Sequence, residues 1–156
     1  MNTENLTNER FAVYAECEGV ERPLLLIGLT FARLMDDVVV PYQGNETFFI
    51  DGAPVSPAKL KRIKLLRLTP EFEGARDTFN MSLTRADPPI RKTYGEQYLV
   101  RFEHVLREHS EDVTSQIIKA FNAVIKPSLK DYLPKRDELI SGTFKLFIEG
   151  IKALGA

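Results

Sequence analysis

A chain of 156 residues has the length of one domain and can bury enough surface to fold without a metal or a disulfide. Its 22 acids nearly cancel its 21 bases, and a net charge of −1 excludes nucleic-acid binding through bulk charge, leaving only local patches. One cysteine, Cys17, excludes an internal disulfide and a cysteine-rich metal site, while 44% hydrophobic residues exclude a disordered chain.

The opening MNTENLTNER is polar and lacks the basic segment and apolar core of a secretory signal. The early apolar run Pro23–Leu29 is far below the ~20 residues needed to span a bilayer, and Lys145, Glu149 and Lys152 interrupt the last apolar segment. The expectation is a cytoplasmic protein with no membrane contact. A free thiol suits a reducing cytosol, and Cys17 reads as a small residue on a half-buried strand, with no basic partner to activate it.

Arg10–Cys17 alternates, with Phe11, Val13 and Ala15 facing one way and Ala12, Tyr14 and Glu16 the other, which predicts a strand. Leu24–Met35 places Leu25, Leu29, Ala32 and Met35 on one helical face; a strand hairpin from Leu24 is the competing reading. The runs VVVPY and TFFIDG around Gly44-Asn45 predict a hairpin, with Pro41 on an edge or ending its strand and Asp51-Gly52 marking a second tight turn.

Five cations and no acid fall within Lys59–Arg67: Lys59, Lys61, Arg62, Lys64 and Arg67. Ser56-Pro57 predicts a short helical turn, and RIKLLRLT then favours a strand over a helix. In either case the apolar residues turn inward and the cations stand in water. A solvated face is the plain reading of this strip. With Arg85, Arg91 and Lys92 it is also the candidate contact for phosphate or an acidic partner, although no aromatics are interleaved for base stacking.

PEFEGARDTFNMSLTR reads as a short helix and then a strand with Phe79, Met81 and Leu83 on one face. The proline-rich loop Ala86–Ile90 is the expected joint between halves. Tyr94, Tyr98, Phe102 and Val105 predict a helix. Ser110 reads as the N-cap of the next, with Glu111 and Asp112 in its first turn and a stripe of Val113, Ile117, Phe121 and Val124, flanked by Ile118 and Ile125, ending at Lys126-Pro127. Ile140, Phe144, Phe147, Ile151 and Leu154 follow a helix-seam rhythm after the polar link LKDYLPKRDE. The predicted fold is α+β: a small, mainly antiparallel sheet from the N-terminal half and a C-terminal three-helix half. The expected organisation is a single domain, 1–156, with a mixed part of about 8–85 and a helical part of about 91–154.

No nucleophile, phosphate-loop or dinucleotide motif is present. His104 and His109 diverge around a helix, and His104 with Glu103 and Glu108 reads as a charged solvated face. Asp36, Asp37 and Asp51 are the one carboxylate group with acid–base or cation-binding chemistry, but consecutive residues point apart. No cofactor and no metal are expected. Gly142 and Gly150 within the last helix predict close backbone approach to a neighbour. Leu139, Leu146 and Ile148 lie outside its seam, which predicts more than one neighbour for that helix. The expected interface is therefore Leu139, Phe144, Leu146, Phe147, Ile148 and Ile151. It belongs to a non-enzymatic protein-interaction or regulatory module, a subunit or adaptor of a larger assembly, with a protein partner or a homodimer. The alternatives are a nucleic-acid or nucleotide binder through 59–67 and, behind it, a small metal-dependent hydrolase or nuclease.

Overall fold

In the computed structural model, which describes residues 8–85 and 96–154, the chain divides into two compact units. The first is Met1–Leu66 with Val113–Ala156, and the second is Arg67–Asp112. The joint expected at 86–90 lies outside the described residues, as do Arg91, Lys92 and Tyr94.

The first unit begins with β1 (Phe11–Cys17) and β2 (Leu24–Leu29), antiparallel, with Tyr14 opposite Leu25 and Val13 opposite Leu26. The helix expected from Leu24 is thus a strand until Leu29. The register slips between Phe11 and Ala12, leaving Gly28 as the extra residue of a bulge at φ +86°, a conformation that a side chain would oppose. An apolar run such as LLLIGL fits either period, and the bulge glycine is what lets it finish as a strand.

Thr30 then caps a helical stretch by accepting from the Arg33 N–H at 3.2 Å. The stretch comprises α1 (Phe31–Leu34), a π-helical turn (Met35–Val39) and α2 (Val40–Gln43). The predicted strand at VVVPY is helical instead. Pro41 has no N–H to donate, and its ring would collide with the Asp37 carbonyl of a regular turn. The chain widens locally, and the Val40 N–H reaches back to the Met35 carbonyl. Val38 and Val39 are fully buried there, so packing outweighs the preference of valine for strands.

The hairpin forms one turn later than predicted. It joins β3 (Phe48–Ile50) to β4 (Ala53–Val55) through Asp51 and Gly52, whose φ values of +51° and +81° make the mirror-image turn that suits strand twist. Pro57–Lys59 is the expected helical turn, and β5 (Leu60–Leu68) is the expected strand.

The sheet order β2-β1-β5 sets one face of the sheet against the unit's core. At the core's centre Phe31 touches the rings of Phe11, Phe144 and Phe147 at centroid distances of 5.7, 5.0 and 5.8 Å.

The second unit contains the last two residues of β5, α3 (Phe72–Arg85), α4 (Glu96–Glu108) and β6 (Ser110–Asp112). α3 is one continuous helix, not a helix and a strand. Phe72, Phe79 and Leu83 share a buried helical face, whereas Met81, expected beside them, is half exposed. Phe102 of α4 packs on Phe72 and Phe79. Ser110 caps nothing, because its hydroxyl donates to the Leu106 carbonyl and residues 110–112 form β6.

Returning to the first unit, α5 (Thr114–Val124) starts at Val113 without a side-chain cap. Its start is fixed by β5 instead: the Val113 N–H donates to the Leu65 carbonyl at 2.9 Å, and the Leu65 N–H donates to Thr114 Oγ1 at 2.8 Å. A 3₁₀ turn (Lys126–Asp131) leads to α6 (Arg136–Leu154). The fold class is α+β, with a small antiparallel sheet and helices gathered toward the C-terminal end.

Candidate functional site

Helices α5 and α6 pack side by side in the first unit, α5 burying Ile117, Ala120 and Phe121 and α6 burying Leu139, Ile140, Thr143, Phe144 and Phe147. Their contact is tight at Gly142, where a Cβ would lie 3.3 Å from Val124 Cγ1. Nearer the start of α5 and the end of α6 the two open into a groove of about 480 Å³. Leu146, Gly150, Ala153 and Leu154 form its α6 wall, with Ala120, Ala123 and Lys119 opposite, and fully buried Phe147 is also in the lining. Leu146 is 39% and Leu154 69% exposed, and, its own helix backbone and chain neighbours aside, no described atom lies within 4 Å of where a Gly150 Cβ would stand. The groove therefore presents an open, mainly apolar wall on the helix pair.

Of the six residues expected at an interface, Leu139, Phe144 and Phe147 are spent on the unit's own core, and Ile148 and Ile151 are half-buried against it. Leu146 alone both stands exposed and lines the groove. Gly142 makes the expected close approach; Gly150 does not, and faces open space. Leu154 continues the core rhythm in the sequence but is exposed. Leu146, Gly150, Ala153 and Leu154, at spacings of four, three and one, are the signal that an apolar face runs on past the core.

Asp36, in the π turn, accepts from Arg136 Nε at 2.9 Å and Arg136 Nη2 at 2.6 Å, and from the Tyr132 hydroxyl. Burial, followed by the Asp36 hydrogen bond, raises the Tyr132 phenol well above its ordinary range. The same carboxylate, hydrogen-bonded to Arg136, keeps that guanidinium firmly charged. Asp37 points elsewhere, to Arg33 at 3.6 Å, and Asp51 sits in the β3–β4 turn. The three acids therefore do not converge. Among the described residues no group of three or more His, Cys, Asp or Glu is placed to hold a metal ion.

Within the first unit the cations of β5 divide between two strand faces. Lys64 Nζ lies over the Tyr14 ring at 5.7 Å, and strand alternation puts Arg62 on that face with it and Lys61 on the other. The hydroxyl of the same Tyr14 donates to Glu16 at 2.6 Å. Lys59 belongs to the preceding turn, and Arg67 and exposed Arg85 belong to the second unit.

His104 pairs with Glu108 at 3.0 Å on the exposed side of α4. Cys17 is buried, and burial raises its thiol pKa, so little of it is the reactive thiolate. No described helix is long and apolar enough to cross a membrane. In comparisons with known proteins, no family model, no curated protein and no solved structure matches this chain.

Proposed function

We propose that this protein works by binding protein, as an adaptor, regulator or subunit of a larger assembly, and that the α5/α6 groove is the docking surface. The reading is of a cytoplasmic, non-enzymatic module. The observation that carries it is the open apolar wall Leu146–Gly150–Leu154, exposed beside the α6 face that buries Ile140, Phe144 and Phe147. Burying such side chains stabilises a complex by roughly 25 cal/mol per Å² of apolar surface removed from water, before the costs of association. Lys119 at the rim supplies a charge for orientation. Phosphate binding by the β5 cations draws less support, because they divide between two strand faces and one face carries Glu16.

The test is affinity capture from the native cell with the wild type and with Leu146→Asp/Leu154→Asp. Both leucines are exposed, so the variant is expected to keep its fold. A polypeptide recovered in stoichiometric amount with the wild type and lost with the variant is the expected result. Identical recoveries from the two, with both folded, would remove the groove as the binding surface.

A further inference from the structure

We infer that the α5/α6 groove is also the site of a small amphiphile, a medium-chain carboxylate whose tail lies between the helices and whose head meets Lys119. The α5 side of the groove is polar at one end and apolar at the other. Its lining runs from Ser115 and Gln116 through Lys119 to Ala120 and Ala123. Beyond Ala123 the helices close, where a Cβ on Gly142 would lie 3.3 Å from Val124 Cγ1. A tail laid along the groove ends at that contact, and its head comes to rest near Ser115 and Lys119. The eight residues from Ser115 to Ala123 span about 12 Å of helix, which suits a chain of about ten carbons. The volume of about 480 Å³ lies within the range of small-molecule sites, roughly 300–1,000 Å³.

Charge selects the head group. Lys119 is the one charged side chain among the described lining residues, it is exposed, and no acid pairs with it. The Ser115 hydroxyl and the Gln116 amide add two neutral donors at the same end. Three donors without a carboxylate suit a head that carries oxygen acceptors and one negative charge, and they repel a cationic one. The tail meets carbon instead: Ala120, Ala123, Leu146 and the fully buried Phe147. Gly150 has no side chain to fill the space above that wall. The ligand site does not depend on the docking reading. Where both hold, the carboxylate covers Leu146 and a docked protein is excluded.

The experiment is calorimetric titration of the full chain with decanoate, decanol and decyltrimethylammonium, each below the concentration at which it aggregates. Decanoate is expected to bind at one site, and decanol about tenfold more weakly, lacking a charge to pair with Lys119. Lys119→Glu, at an exposed position that should leave the fold intact, is expected to weaken decanoate about tenfold or more and to favour the ammonium amphiphile. Leu146→Asp puts a carboxylate beside the tail and should weaken decanoate and decanol alike. A wild type that binds no decanoate would overturn the inference. So would one that binds all three heads equally, or whose preference survives Lys119→Glu. If decanoate does not bind but Leu146→Asp/Leu154→Asp loses a captured protein, the ligand falls and the docking reading stands. If decanoate binds with the expected preference while capture ignores those leucines, the ligand site stands and docking falls.

Discussion

Gly142 of α6 stands against Val124 of α5 so closely that a Cβ on the glycine would lie 3.3 Å from the valine Cγ1. Two turns later Gly150 has no such neighbour. The two glycines share a helix and a residue type but differ in what limits them. Gly150→Ala should stabilise the isolated chain by about 0.5–1 kcal/mol, the helix-propensity difference. Gly142→Ala should gain little of this, because Val124 must shift to admit the methyl, and Gly142→Leu should cost about 1–3 kcal/mol by overpacking. Urea unfolding at high dilution measures all three. A destabilising Gly150→Ala would mean that a neighbour lies over that turn.

The contact between Asp36 and the pair Tyr132 and Arg136 joins parts of the chain about 100 residues apart. Tyr132→Phe removes one hydrogen bond and should cost about 1 kcal/mol. Arg136→Met removes the two-point contact with a carboxylate that is largely shielded from solvent and should cost about 1–3 kcal/mol. The pH dependence follows from the raised Tyr132 phenol. The unfolded tyrosine loses its proton near pH 10 and the folded one only above that, so the contribution is complete below pH 10 and is lost as pH rises beyond it. Urea midpoints measured from pH 9 to pH 11 should therefore fall more for the wild type than for Tyr132→Phe. Equal slopes would show that Tyr132 does not contribute.

Neighbouring residues 146 and 147 should respond in opposite ways. Phe147 is 1% exposed and packs on Phe11, Phe31 and Phe144. Phe147→Ala should cost about 3–5 kcal/mol. Leu146→Ala, one position earlier and at the groove wall, should change the stability of the isolated chain by no more than about 0.5 kcal/mol while weakening docking. Thermal unfolding of the two variants, followed by capture with Leu146→Ala, separates a core residue from a contact residue.

These contrasts also mark how much could be read from the residues in order. β1, α5 and α6 announce themselves, since their apolar spacing matches one period and burial follows it. β5 reads as a strand although adjacent Leu65 and Leu66, both buried, break its alternation. Leu24–Leu29 does not, because a continuous apolar run fits a strand and a helix equally, and the bulge at Gly28 depends on pairing with β1. VVVPY misleads by composition. Valines buried on a helix beside a proline obey packing, and neither burial nor the π turn is visible locally. Ser110 has the chemistry of a cap, but its hydroxyl is taken by Leu106. The excess of apolar residues on α6 was legible. Its division into core and groove was not, because Leu139 and Leu146 look alike until α5 is placed. The Asp36 contact, spanning so much of the chain, left no sequence signal.

On the proposed reading, the wall of Leu146, Gly150 and Leu154 is covered by protein when the molecule functions. Maleimide labelling of Leu154→Cys reads that coverage, since native Cys17 is buried and slow to react. Val20→Cys, at a 45% exposed position, serves as the control. The Leu154→Cys thiol should react as fast as the control in dilute purified protein, and much more slowly in native extract, where the control rate is unchanged. Equal rates at both positions under every condition would contradict the claim.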